Sequence, residues 1–463
     1  MVERIEAIND VINAFVWGPV MLFLLVGTGI YLTCRLKFPQ FHRAGYILRH
    51  TVCTLFHKSE EDHGSNLTPF QAVSTALAGT VGTGNIAGVT GAVFVGGPGA
   101  VFWMWVSAFF GMCTKYAEIV LAVRYRVTEE DGTHKGGPMY YIEKGLGKKW
   151  RFLAVFFAVL AGVACFGIGN IAQASEIGGA MKNMFGVEPV WTGLVLAVLV
   201  GIIVLGGVKR IGHVTSYLVP FMAMFYILAG IAVIILRITD VPAALVLIVK
   251  SAFSVRAVGG GMFGYAFMLA MRQGFARGVF SNEAGLGSAP MAHAASSAKE
   301  PVEQAMWGIF EVFVTSSIIC TITALTVILS GVYAIPGGLE NFVSNGAAAA
   351  AAFNEILPGT LGGSVINISI IFFSLSTLVG WSYYGERCWG YLTHENEKAI
   401  FAFKVVYVLV SFLGTIGSGT LMWEITDTLN GMMAIPNLIA LLLLSNVVVD
   451  TTRDYFRRRN LRA

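Results

Sequence analysis

Charged side chains are scarce in this chain: 13% of 463 residues, against about 25% in soluble domains. That shortage, with 56% hydrophobic residues and a mean hydropathy of +0.70, excludes an ordinary soluble domain. Cysteine is thin as well. Cys34, Cys53, Cys113, Cys165, Cys320 and Cys388 show no CxxC spacing, which argues against a disulfide framework or a zinc site and leaves buried thiols. The histidines are few and mostly in loops (His42, His50, His57, His63, His134). HExxH, GxSxG and GxxxxGK[ST] are all absent, so a polytopic membrane enzyme lacks its signatures. No nucleic-acid partner is expected.

What the sequence does have is long apolar runs. About 20 apolar residues cross a bilayer. By that length eleven spans are predicted, at 11–33, 69–96, 98–124, 151–175, 190–208, 214–236, 257–280, 304–332, 361–386, 401–418 and 424–449. The first is too long for a signal-peptide h-region, and its leading flank is acidic. Most of the 31 Lys and Arg fall on one side if the N-terminus is outside and the C-terminus cytoplasmic. Arg272 and Arg277 are counted on that inner side. The short run 241–255 and the alanine-rich 345–355 read as helices at the outer surface.

Two spans are interrupted by glycine. "GTVGTGNIAG" (79–88) lies inside the second, and "GGGMFGYAFMLAMRQGFARG" (259–278) forms the seventh, whose apolar part stops at Arg272. Spans 2 and 7 are five apart and open two five-helix halves of opposite orientation. Paired interruptions in inverted halves point to a carrier's binding site. The expected organisation is an all-α polytopic membrane protein of 11 transmembrane helices: a five-plus-five inverted repeat with a broken first helix in each repeat, plus one extra N-terminal helix. Its segments are 1–67 (extra helix and cytoplasmic loop), 68–237 (first repeat), 238–259 (outer interfacial segment), 260–450 (second repeat) and 451–463 (basic cytoplasmic tail).

A break at midplane frees N–H groups on one side and carbonyls on the other. The first attract a carboxylate, the second a cation. Thr83 or Asn85 can cap the second half of span 2, placing a substrate carboxylate near Asn85 to Ala87. Freed carbonyls around Gly79, Thr80 and Gly82 would face Na⁺ or an ammonium group, and the adjacent hydroxyls of Ser376 and Thr377 suit a Na⁺ site. Close packing by small residues competes with this reading of the glycines. Asn170 and Gln173 share a face of span 4. Lys115, Glu118 and Glu311 read as snorkelling toward span ends. That leaves few acidic groups for the bilayer centre and favours Na⁺ over proton coupling. Residues 272–290 read as the inner half of a broken helix plus a gating loop, with Arg272 or Arg277 as a gate or a positive-inside anchor.

"GTVGTGNIAGVTGAV", "FGIGNIAQ", "RQGFARGVFSNEAGLGSAP" and "GWSYYGE" together resemble the alanine or glycine:cation symporter family, the amino acid carrier proteins, over nearly the whole chain. The resemblance implies the inverted-repeat fold of the bacterial leucine transporter with one added N-terminal helix. It also implies Na⁺ (or H⁺) symport of alanine, glycine or similar small neutral amino acids across a prokaryotic plasma membrane. Carried onto this sequence, it implies that Thr80, Gly82, Thr83, Gly84 and Asn85 hold substrate at the break, with Gln173 and Asn170 contacting it from span 4. Phe166, Phe267, Met271 and Trp381 would form apolar walls, and Thr377 would face the pocket. The carrier is expected to work as a monomer among membrane lipid. A proton-coupled carrier, an amino acid or ion channel and a membrane enzyme are the alternatives.

Overall fold

The structure, a computed structural model, describes residues 2–56, 66–253, 263–417 and 420–459. Among them the regular elements are helices apart from one small ribbon, Val127–Thr128 against His134–Lys135, and a lone bridge between Leu67 and Ser296. The first span is α1 (Val2–Val16) and α2 (Pro19–Arg35), parted at Trp17 and Gly18, with Pro19 starting the second piece as its fixed φ allows. Two short helices, α3 (Pro39–His42) and α4 (Ala44–His50), make an elbow after α2.

The second span opens on a capping box. Thr68 Oγ1 accepts from the Gln71 N–H (3.1 Å), and Gln71 Oε1 accepts from the Thr68 N–H (3.0 Å), satisfying two end donors reciprocally. Helix α5 (Pro69–Thr80) stops at Val81 and α6 (Ala87–Gly96) resumes beyond a 3₁₀ turn at Thr83–Asn85. The two halves are bent by 63°.

Next come α7 (Gly99–Arg124), buried along most of its length, and α8 (Pro138–Leu146). Helices α9 (Arg151–Phe166) and α10 (Ala172–Phe185) form one span joined by a wide π turn at Gly167–Ile171, a distortion that often marks a functional position. Then follow α11 (Pro189–Leu205), α12 (Gly207–Leu236) and the amphipathic α13 (Val241–Phe253), which buries Ala244, Ile248 and Ala252.

The seventh span is α14 (Phe263–Asn282) and the short α15 (Pro290–Ala294). The interruption is therefore not within 263–278, where the glycines predicted it. Residues 259–262 lie outside the described residues. The helix runs unbroken past Arg272 and unwinds at Glu283, Gly285 and Gly287, with φ of +54°, +93° and +84°. Gly274 and Gly278 serve packing instead. A Cβ on Gly274 would lie 2.4 Å from the Ala100 carbonyl, and one on Gly278 would lie 2.9 Å from Ser107 Cβ. Glycine there lets α14 run against α7 at close range. This contact also sets Arg272 and Arg277 level with the start of α7, at the opposite end from Arg124. The two arginines therefore lie on the opposite side from Arg124, whereas the charge count had put all three on one side.

The remaining helices are α16 (Pro301–Val312), continued by a π segment at Phe313–Ile319 into α17 (Cys320–Ser330), then α18 (Asn345–Asn354), α19 (Leu361–Leu392), α20 (Glu397–Ile416), α21 (Thr420–Leu443) and α22 (Ser445–Arg458). The alanine-rich α18 is not a bare surface helix: Ala348, Ala349, Ala352 and Phe353 are fully buried. By length and apolarity eight described helices can cross a membrane, nine with the bent pair. The predicted spans 190–208 and 257–280 fall on α11, only 17 residues long, and on α14, which carries two arginines.

Candidate transport site

The first break is closed by its own asparagine. Asn85 Oδ1 accepts from the Gly82 N–H at 3.1 Å, and the Asn85 and Ile86 N–H groups bond the carbonyls of Gly82 and Thr83 (both 3.1 Å). The Asn85 side chain also donates to the Ser281 carbonyl (3.4 Å), and its own carbonyl accepts from Thr323 Oγ1 (2.9 Å). Asn85 thus ties the two broken spans together. The N–H groups of Asn85 and Ile86 are thus taken up, whereas those of Thr83, Gly84, Ala87 and Gly88 have no acceptor among the described residues, so free donors lie on both sides of Asn85.

On the other side of the break, α19 presents Ser376 and Thr377. Ser376 Oγ lies 2.8 Å from the Phe373 carbonyl and 3.4 Å from those of Ala78 and Val81. Thr377 Oγ1 lies 2.9 Å from the Phe373 carbonyl and 3.4 Å from that of Val81. Two hydroxyls and three carbonyls, all uncharged oxygens, converge where the helix unwinds. That donor set suits a small hard cation. The carbonyls meeting the hydroxyls belong to Ala78 and Val81, not to Gly79, Thr80 and Gly82. Thr80 turns its hydroxyl to the Ala76 and Leu77 carbonyls and to Glu311. Gly82 is required by closeness, since a Cβ there would lie 2.6 Å from Thr377 Oγ1.

Beside this cluster is a cavity of about 20 Å³, room for about one water molecule, so its walls must part to admit an amino acid. Gly79, Thr80, Gly82, Gly84, Gln173, Thr377 and Trp381 line it, joined by Ile168, Phe280, Glu283 and Asn430. Three acceptors face one region. Gln173 Oε1 and Asn430 Oδ1 are buried without partners among the described residues. The Glu283 carboxylate takes the indole N–H of Trp381 at 3.2 Å and the hydroxyl of Ser288. Phe280 also borders a second recess holding Arg272, Arg277 and Asp427, so its ring stands between the cavity and that recess. At the opposite end the chain is latched by backbone bonds, Leu67 N–H to the Ala295 carbonyl (3.0 Å) and Ser297 N–H to the Leu67 carbonyl (2.7 Å).

The second break is plugged by a carboxylate. Glu118 Oε1 accepts from the N–H groups of Gly285 (3.0 Å) and Gly287 (3.1 Å) and from Asn437 Nδ2 (2.5 Å), an anion in a nest of backbone donors. Nearby, Glu311 Oε1 lies 3.1 Å from Lys115 Nζ and Glu311 Oε2 3.1 Å from His293 Nε2, all fully buried. His293 Nδ1 is 2.8 Å from Gln304 Nε2. Lys115, Glu118 and Glu311 therefore do not snorkel. Lys115 and Glu311 are paired with each other, and Glu118 is held by the N–H groups of the glycine turn and Asn437, which a single span's sequence does not reveal.

The description of the sodium:alanine symporter family matches residues 2–462. The chain belongs to that family. The sodium/alanine symporter AgcS of Methanococcus maripaludis is 47% identical over 455 residues, 98% of this chain and 97% of that protein. The probable sodium/glutamine symporter GlnT of Bacillus subtilis is 37% identical over 459 residues, 99% and 92% of the two chains. Among solved structures, a substrate-bound, outward-open Na⁺-coupled sialic acid symporter superposes with a TM-score of 0.52 at 12% identity, over 96% of this chain and 86% of that one. MhsT in complex with L-phenylalanine superposes with 0.54 at 12% identity, over 82% and 96%. These two likenesses give the fold, that of the leucine-transporter type with its inverted repeat. Family membership makes the chain a sodium-coupled membrane carrier and not an enzyme.

Within this symporter several sequence-predicted residues stand away from the cavity. Phe166 packs on Phe403 and Tyr407, with ring centres 5.4 and 5.9 Å apart. The π turn rotates it off the cavity face and brings Ile168 onto it. Asn170 donates to the Tyr407 carbonyl at 2.8 Å and so joins spans. Phe267 stacks edgewise on Trp103 at 5.7 Å, and Met271 packs into the main core, both too high on α14 because the break lies beyond Asn282. Thr83 and Asn85 are buried in the turn itself. Phe280 and Glu283 are visible in "FSNEAG", but the sequence reading gives that stretch to the inner half of a broken helix and a gating loop and assigns neither residue to the site. Asn430 gave no signal, being one polar residue in an apolar run.

Proposed function

We propose that this carrier takes up alanine and similar small neutral amino acids with Na⁺ by alternating access across a prokaryotic plasma membrane. The observation that carries this is the juxtaposition of the uncharged oxygen cluster at Ser376 and Thr377 with a small cavity having donors on one side and acceptors on the other. Na⁺ sits among the carbonyls of Ala78, Val81 and Phe373 and the two hydroxyls. The substrate carboxylate meets the Thr83 and Gly84 N–H groups. The ammonium group meets Glu283, Gln173 and Asn430. Ile168, Phe280 and Trp381 limit the side chain to a methyl group or little more. Phe280 is the outer lid and the Leu67–Ser297 latch the inner closure, opened in turn.

The chain is read as a monomer with its N-terminus outside and C-terminus cytoplasmic, its repeats at 68–237 and 260–450. A membrane potential supplies about 2.3 kcal/mol per charge per 100 mV, enough for accumulation of tens-fold. Proton coupling is the second reading, favoured by the buried Glu311 and His293 beside Thr80. The test is uptake of radiolabelled alanine and glycine into proteoliposomes under imposed Na⁺ or proton gradients. Uptake that follows Na⁺, and requires more Na⁺ when Ser376 and Thr377 are both changed to Ala, supports the reading. Uptake driven equally well by protons alone, and indifferent to those two changes, overturns it.

A further inference from the structure

We propose that one anionic phospholipid is held at the elbow of α3 and α4, its headgroup in a basic recess and an acyl chain in an adjoining apolar groove. The recess lies at the end of α2 and is lined by Arg35, Lys37, His42, Arg43 and Arg453, with no Asp or Glu among the described residues that line it. It is on the membrane face that also carries Arg124, which donates to Thr451 Oγ1 of α22 at 3.0 Å.

Two of the cations are held in place. Arg35 donates to Tyr31 Oη (2.6 Å) and Asn446 Oδ1 (2.7 Å). The Arg43 guanidinium carbon sits 3.5 Å from the centre of the Phe456 ring. Lys37 and Phe38 both adopt left-handed backbone angles, φ +60° and +53°, a costly pair for residues other than glycine. This turn swings α3 outward and opens the recess between α2 and α22. Asp450 reaches Arg453 only at 3.8 Å on the exposed surface, so the recess stays strongly positive. By contrast Arg458 and Arg459, farther along, are engaged by Glu300 and Glu303.

The other face of the same elbow is apolar. Gln40, Phe41, Ala44 and Leu48 border a groove against Phe109 and Phe313. Phe41 is 68% exposed and Leu48 52%, a solvent-unfriendly surface suited to hydrocarbon. Pro39, His42 and Arg43 face the recess while Gln40, Phe41 and Ala44 face the groove. A single short element thus separates a phosphate-grade cluster from an acyl-grade slot. That is the layout of a phospholipid, in which phosphate and chain are joined through one glycerol. Basic recesses between membrane helices bind anionic headgroups, at roughly 1 kcal/mol per Lys or Arg.

The test uses the full purified chain in detergent, with binding followed by native mass spectrometry. The probes are phosphatidylglycerol, phosphatidylcholine with the same chains, and sn-glycerol 3-phosphate. Phosphatidylglycerol is expected to bind best. The double change Lys37→Gln, Arg453→Gln, at two exposed side chains, weakens it about 30-fold. Ala44→Trp, which fills the groove without touching any cation, weakens phosphatidylglycerol at least tenfold. Equal binding of the two lipids, unchanged binding in the double variant, or glycerol phosphate binding as tightly as the lipid would each overturn the proposal.

Discussion

Neutralising Glu311 puts the buried charge cluster under direct strain. Its carboxylate is the counter-charge of Lys115 at 3.1 Å, with neither side chain exposed. It also receives the Thr80 hydroxyl at 3.3 Å and faces His293. Glu311→Gln keeps the size and can still bond Thr80, but it strands an ammonium group in the interior. Breaking one side of a buried pair costs about 3–5 kcal/mol. Large membrane carriers unfold irreversibly, so the useful readout is a rate. If the pair is lost before the unfolding barrier, about 3 kcal/mol shortens the half-life at fixed temperature on the order of 100-fold. The assay is loss of the folded full-length carrier in detergent with time. Lys115→Met should do similar damage alone, while the pair Lys115→Met with Glu311→Gln should recover most of it, because no charge is then left unpaired. A Glu311→Gln half-life within threefold of the unmodified chain, or a double variant no better than the single, would refute the reasoning by showing that water already solvates the pair.

Two further outcomes follow from the site geometry. Gly82→Ala places a methyl 2.6 Å from Thr377 Oγ1 and should raise the Na⁺ concentration for half-maximal uptake at least tenfold; an unchanged Na⁺ dependence would separate Thr377 from the ion. Glu283→Gln should raise the KM for alanine about tenfold or more, the scale of a lost charge-assisted hydrogen bond, with Na⁺ dependence little altered; an unchanged KM would remove Glu283 from substrate recognition.

The first break was legible because four glycines and an asparagine crowd into ten residues, but neither Thr83 nor Asn85 caps α6, whose N-cap is Ile86; the Asn85 amide oxygen instead accepts from the Gly82 N–H. The second was misplaced because glycine has two uses that look alike in a sequence. Gly274 and Gly278 allow close approach of α7, whereas Gly285 and Gly287 take left-handed angles at the real break. Arg272 misled in the same place: a charge was read as the end of an apolar run, but it lies within a helix and donates to the Trp17 carbonyl at 3.2 Å. Lys115 and Glu311 were illegible as a pair since nearly two hundred residues separate them, and a lone buried charge in one span carries no hint of its partner. The rotation imposed by the π turn, which exchanges Phe166 for Ile168, depends on a single extra residue per turn that no regular periodicity foretells.

The charged cluster also decides which helices are locked together. Thr80 on α5, Lys115 and Glu118 on α7, His293 on α15 with the glycine turn before it, and Glu311 on α16 are stitched into one block by bonds that are expensive to break in hydrocarbon. Ser376 and Thr377 stand outside it on α19. An ion lodged between their hydroxyls and the carbonyls of Ala78 and Val81 would then bridge that block to α19, a removable rivet at the joint between them.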